Sequence, residues 1–257
     1  MIIIPDIHGR SFWKEAVKDR ETEDIIFLGD YMDPYSYEGI DYEQALANFK
    51  DIIEFANSHA NVVLLLGNHD CHYFSQSIDR GSRYDFLHAP EIVSVFKSYT
   101  GHFLMATERT IGGKRYILSH AGIGKRWLDN HELLFGDVDW EKINIVDWAN
   151  NAWDVRDENF LSALNDISYR RGGFDDYGSM IWADTMDHYG DKKGEGLFGD
   201  YQIFGHTQTT GSPLIFDKFA NLDCRRGFIL DDYGNILELD RTPAIKADDL
   251  KKKIENK

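Results

Sequence analysis

The sequence predicts a layered α/β protein whose functional groups gather at the carboxyl ends of buried strands. Two patterns carry that expectation. Short apolar runs recur along the chain, and each ends in a Gly-containing turn that bears Asp, Asn or His. Between them lie stretches with helical apolar spacing. A length of 257 residues with 42% hydrophobic and 14% aromatic content is enough for one substantial core and is unlike a disordered chain.

The strands come first. "MIII" runs into Pro5, Asp6, Ile7, His8 and Gly9, and Ile25 to Leu28 runs into Gly29, Asp30 and, three further on, Asp33. "VVLLL", Val62 to Leu66, runs into Gly67, Asn68, His69 and Asp70. Tyr116 to Leu118 leads to Ser119, His120 and Gly122, and Gln202 to Phe204 leads to Gly205, His206 and Thr207. Continuous apolar runs of this length, bounded by Gly, are expected of strands covered on both faces. In layered α/β folds, ligands bind outside the carboxyl ends of such strands, so five ends can converge on one point. A further strand is expected at Gly227 to Leu230, with a hairpin through Tyr233-Gly234-Asn235 to Ile236–Leu239.

Helices are expected at Phe12 to Lys18, at Pro90 to Ser98, and at Tyr42 to Asn57, where Leu46, Phe49, Ile52, Ile53 and Ala56 share a face. Lys125 to Ile167, with Trp127, Trp140, Trp148 and Trp153, is expected to form several short helices, a cap insert beside the site whose tryptophans mostly pack. One domain is expected over residues 1–243, followed by a charged tail, 244–257, with no claim to function.

The net charge of −16 and a pI near 4.9 argue against general binding to nucleic acid or membrane surfaces. No apolar stretch approaches the roughly 20 residues of a membrane helix. The opening "MIIIPDIHG" lacks a basic n-region and a cleavage site, and the two cysteines, Cys71 and Cys224, suggest no disulfide framework. A cytoplasmic setting with reduced thiols is expected.

Asp6, His8, Asp30, Asn68, His120 and His206 form the convergent set. Carboxylate, imidazole and amide donors with no thiolate suit divalent Mn, Fe, Zn or Mg. Alternate residues at a strand end point the same way, so Asp6 and His8 can grip one ion, and a bridging Asp30 can hold two.

"DIHG", "GDYMD", "GNHD", "SHAG" and "FGHT" resemble, in that order, the signature blocks of calcineurin-like metallophosphoesterases. The likeness is greatest to the serine/threonine phosphoprotein phosphatase branch with its bacterial and phage relatives. It implies a four-layer α/β/β/α sandwich with a dinuclear metal site at the strand ends. By resemblance, Asp6, His8 and Asp30 hold one ion, and Asp30, Asn68, His120 and His206 hold the other. A metal-bridging water or hydroxide is then the nucleophile, and His69, oriented by Asp33, is the general acid.

The chain departs from the branch in having Pro34 where an arginine usually grips phosphate, Asp70 where Glu is usual, and Gln208 where the wider superfamily often has a second histidine. Arg170 and Arg171 in "SYRRGG" are the candidate replacement clamp, with Arg225 and Arg226 a lesser one. Asp184 in "GSMIWAD" is expected to be structural, and Cys71 a small buried residue.

The expected activity is metal-dependent hydrolysis of phosphate monoesters on a phosphoprotein or a small phosphorylated metabolite, with two divalent ions, manganese foremost. The alternatives are a dinucleoside tetraphosphatase-like nucleotide hydrolase or a phosphodiesterase and, from another class, an inactive binding module retaining the fold.

Overall fold

The computed structural model describes residues 1–136, 138–140, 142–189, 196–199 and 201–239. The expected tail, 244–257, lies outside the described residues. In chain order the elements are β1 (Ile2–Ile4), α1 (Phe12–Val17), β2 (Ile25–Phe27), α2 (Tyr42–Ser58), β3 (Val62–Leu64), α3 (Asn68–Phe74), α4 (Ala89–Lys97), β4 (Ala106–Ile111), β5 (Lys114–Ser119), α5 (Lys125–Asn130), α6 (Glu132–Phe135), α7 (Ile145–Asp154), α8 (Glu158–Ala163), β6 (Tyr201–Phe204), β7 (Leu214–Ile215), β8 (Phe219–Asn221), β9 (Phe228–Leu230) and β10 (Ile236–Glu238).

Two five-stranded mixed sheets face each other, ordered β10-β9-β1-β2-β3 and β4-β5-β6-β8-β7. β1, β2 and β3 run parallel, with Ile3 level with Ile26 and Ile26 with Val63. Period-two alternation explains why these strands are apolar throughout. Ile3 and Ile26 turn inward to meet Leu118, Ile203 and Ala220 of the second sheet. Ile2, Ile4, Ile25 and Phe27 turn outward under α1 and α2. α2 begins at a capping box, where Asp41 accepts the Gln44 N–H at 2.8 Å and Gln44 accepts the Asp41 N–H at 3.2 Å. Its buried face contains the expected Leu46, Phe49, Ile52, Ile53 and Ala56.

The Trp-rich stretch supplies the fourth layer. α7 packs on β4, where the Asn150 amide receives the Met105 and Ala106 N–H groups and donates to the Ala106 carbonyl. Trp127 and Trp153 are buried there, and Trp140 and Trp148 pack against the same core. Three strands were not expected: β4, β7 and β8. No helix among the described residues is long and apolar enough to cross a membrane.

Candidate metal centre

Each of the five strand ends delivers its polar residue to one place. Asp6 follows β1, Asp30 and Asp33 follow β2, Asn68 and His69 open α3, His120 follows β5 and His206 follows β6. His8, Asp30, Asp33 and His206 all sit at positive φ, between +44° and +64°. Side chains rarely adopt that region, and such strain gathers where surrounding structure dictates a side chain's aim. Gly67 is required by close approach, since a Cβ there would lie 2.1 Å from Asp30 Oδ1 and 2.6 Å from His120 Cε1.

Asp70 ties two of the blocks together. Its carboxylate accepts the N–H groups of Gly67 at 2.8 Å, Asp30 at 2.6 Å and Tyr31 at 3.0 Å. The shorter acid in place of Glu therefore holds the turns and does not face the cavity.

Hydrogen bonds to the backbone fix the histidine tautomers. His8 Nδ1 donates to the Met32 carbonyl at 3.0 Å and His120 Nδ1 to the Leu28 carbonyl at 2.9 Å. Their Nε2 lone pairs must then face inward. His8 Nε2 meets Asp30 Oδ2 at 3.3 Å, and His120 Nε2 meets the same oxygen at 3.5 Å, Asn68 Oδ1 at 3.0 Å and His206 Nδ1 at 3.1 Å. Acceptors aimed at acceptors in a dry interior are costly without a cation between them. The donor atoms of Asp30, His120 and His206 lie within 4.8 Å of one another, and His206 Nε2 is buried with no partner. The donor set therefore fits divalent metal.

The electrostatics agree. Burial holds His8 down at about 4 despite Asp30, and holds His120 and His206 below the ordinary histidine value, so all three favour the neutral, ligating form. Burial raises Asp6 well above the usual carboxylate range, and Asp223 and Asp30 add to it. At Asp30 burial is outweighed by His120, His69 and His8, which hold it low. Both Asp6 oxygens also receive the His206 N–H, at 2.8 and 2.9 Å.

Beside this centre, His69 Nδ1 meets Asp33 Oδ2 at 2.8 Å, and His72 Nε2 lies 3.0 Å from the same oxygen. Tyr73 Oη donates to Asp33 Oδ1 at 2.6 Å. Burial would raise the Asp33 carboxyl, but His69 and His72 keep it below its ordinary value. The His69 N–H donates to Asp30 Oδ1 at 2.9 Å, which locks the histidine to the centre.

A cavity of about 190 Å³ opens over these groups, lined by His8, Asp30, Tyr35, Asn68, His69, Ser82, Arg83, Arg171, Trp182 and His206. Of the candidate clamp residues only Arg171 reaches it, with Nη2 donating to the His206 carbonyl at 3.2 Å. Arg170 points the other way. Its Nε lies 3.6 Å from Asp187, and it lines a separate cavity of about 460 Å³ with Tyr169, Tyr177 and Tyr189. Successive residues of a single 3₁₀ turn, Tyr169–Arg171, diverge by about 120°, so both cannot face one cavity. Arg225 and Arg226 are engaged by Glu38 and Glu238. Asp184 caps the turn at Thr185–His188, and burial pushes the Cys71 thiol far up, as befits an inert core residue.

Sequence reasoning missed Tyr35, His72, Tyr73, Arg83 and Asp223. A signal existed for Arg83, which follows Gly81-Ser82 much as Arg171 precedes Gly172-Gly173. Nothing local distinguished Asp223.

The model of the calcineurin-like phosphoesterase family matches residues 2–209, most of the chain and all five blocks. The chain belongs to the calcineurin-like phosphoesterases. Membership in this family implies hydrolysis of phosphoesters with the help of divalent metal. No curated protein matches the chain. Among solved structures, one described as a 5'-nucleotidase from Staphylococcus aureus, in complex with alpha-ketoglutarate, is 14% identical at a TM-score of 0.35. That match covers 99% of this chain and 57% of the other. The sulfate thiohydrolase SoxB from Thermus thermophilus, in complex with glycerol, is 10% identical at a TM-score of 0.33, covering 90% of this chain and 42% of the other. The chain thus spans little more than half of the one and less than half of the other.

Proposed function

We propose that the chain is a dinuclear metal-dependent phosphatase that hydrolyses phosphate monoesters on a phosphoprotein or a small phosphorylated metabolite. One observation carries the reading: Asp30 Oδ2 is a corner shared by two donor groups, with His8 on one side and His120 on the other. Asp6, His8 and Asp30 would hold one divalent ion, and Asp30, Asn68, His120 and His206 the other. Nitrogen and oxygen donors without thiolate suit Mn, with Fe, Zn or Mg also compatible. Such ions, when bound, acidify water and neutralise the phosphate oxygens.

The protein's own groups do the rest. His69, fixed by Asp33, lies on the cavity wall and is the residue that protonates the leaving oxygen. Asp33 orients that imidazole, and His69 and His72 together hold its carboxyl below the ordinary value. Arg171 lines the same cavity as a phosphate-binding cation. The surplus of 44 acidic over 28 basic residues disfavours nucleic acid, whereas a small or peptide-borne phosphate meets less repulsion.

The test is a Mn²⁺-loaded panel of nitrophenyl phosphate, bis-nitrophenyl phosphate, a phosphoserine peptide and a dinucleoside tetraphosphate, with elemental analysis of the loaded protein. Two ions per chain and a higher kcat/KM for monoesters are expected. Faster diester cleavage, or a stoichiometry near zero, would overturn the reading, and dominant dinucleotide hydrolysis would replace it with a nucleotide hydrolase.

A further inference from the structure

We infer that Arg83, seated on the ring of Tyr35, grips the substrate phosphate together with Arg171 and so replaces the arginine absent at Pro34. The inference rests on the phosphatase reading above and assigns a residue of that same site.

The sequence supplies the platform where it lost the cation. Pro34 is followed directly by Tyr35, whose ring centroid lies 3.6 Å from Arg83 Cζ, within stacking distance of a planar guanidinium. Stacking leaves the nitrogens at the rim free to donate. Arg83 Nε and Nη1 are buried with no hydrogen-bond partner, as is Arg171 Nε in the same cavity. Both arginines are half-buried, and unmet buried donors on them are costly, a cost that an anion with several acceptor oxygens removes. Among the described residues no carboxylate lies within ion-pair distance of Arg83, although the chain is rich in acids.

The loop that carries Arg83 is pinned to the site on both flanks. The Gly81 N–H donates to His72 Nδ1 at 3.3 Å, and the Asp85 N–H donates to Tyr73 Oη at 3.1 Å. His72 and Tyr73 are the residues already in contact with Asp33. Arg83 itself is held at φ +68°, a conformation strained for any residue with a Cβ. Its Nη2 donates to His69 Nε2 at 2.9 Å, so Arg83 must turn its donors to a phosphate before that nitrogen can carry the proton for the leaving oxygen. A phosphate held by Arg83 therefore presents its leaving oxygen beside His69.

The test uses the Mn²⁺-loaded full chain and Arg83→Gln, with Arg83→Lys as the variant that keeps the charge and loses the fork. Loss of a charge-assisted contact should raise both KM for nitrophenyl phosphate and the inhibition constant of inorganic phosphate by about 10–100-fold. Metal stoichiometry and the dependence of kcat on leaving-group acidity should stay as in the wild type, and Arg83→Lys should recover part of the loss. An unchanged inhibition constant for phosphate in Arg83→Gln would overturn the inference. So would a defect that grows as the leaving group worsens, because Arg83 would then act only by orienting His69. If the wild type hydrolyses no monoester, the phosphatase reading fails. Titration of inorganic phosphate into the loaded wild type and Arg83→Gln then still decides the clamp by itself, a weakening of at least tenfold upholding it and equal affinity overturning it.

Discussion

Asp223→Asn should stabilise the metal-free protein at neutral pH and leave it unchanged in acid. Asp223 is buried, its Oδ1 has no hydrogen-bond partner, and it lies in the field of Asp6 and Asp30. Burial raises its carboxyl from 3.8 to about 6, against the pull of Arg10 and Arg225. Because the folded value exceeds the unfolded one, the folded state holds the proton more tightly. The stability linked to that proton is fully present below about pH 4 and is lost as pH rises through about 6. The gap of about 2 pK units amounts to roughly 3 kcal/mol at pH 7.5. Asparagine carries no charge to desolvate, so it should escape most of that loss. Urea unfolding after chelation, at pH 7.5 and pH 4.0, measures the difference between variant and wild type directly. In thermal unfolding near pH 7.5 the gain corresponds to about 6–12 °C. Loading with Mn²⁺ should shrink it, since cations beside Asp6 and Asp30 stabilise the ionised form. A gain of equal size at both pH values, or none at pH 7.5, would refute the reasoning.

Further expectations concern the site itself. Asp30→Asn should lose metal occupancy and turnover together, whereas His69→Asn should keep its metal and lose turnover by about 10²–10⁴-fold. Elemental analysis beside kcat measures both, and an empty site in His69→Asn would contradict the roles assigned here. Arg171→Ala should raise KM for phosphate monoesters about tenfold or more, a change read from initial rates, while Arg170→Ala should leave it near the wild-type value. Gly67→Ala should weaken metal binding and lower the unfolding midpoint, because its methyl would displace Asp30 Oδ1; wild-type metal affinity in that variant would argue against close packing at the turn.

Local pattern carried the strands whose two faces are both covered. β1, β2 and β3 are apolar throughout because helices or loops lie on one side and the opposite sheet on the other, and β6 is buried along its length with Gln202 as its single amide, bonded to the Ile123 and Phe198 backbone. β4 escaped notice because "ATERTI" keeps a polar, half-exposed face, and β7 because Leu214 and Ile215 lie exposed at a sheet edge. The candidate ligand residues were legible because they follow the apolar runs of the chain. The proposed clamp was not, since Arg170 and Arg171 are equivalent in sequence and only the sense of a 3₁₀ turn separates them. Arg83 lies in a loop without periodicity, and its value depends on Tyr35, 48 positions away. Such pairings arise from tertiary placement, which no window of sequence contains.

The donors are divided between the two sheets. Asp6, Asp30 and Asn68 are carried by the first, His120 and His206 by the second. Any ion coordinated by members of both is a rivet through the sandwich, and sliding of one sheet across the other by an ångström would tear the coordination sphere. The greasy layer of Ile3, Ile26, Leu118 and Ile203 thereby sets the alignment of the chemistry, as bearings set the alignment of a lathe. Trimming one of those side chains should detune the site before it unfolds the protein.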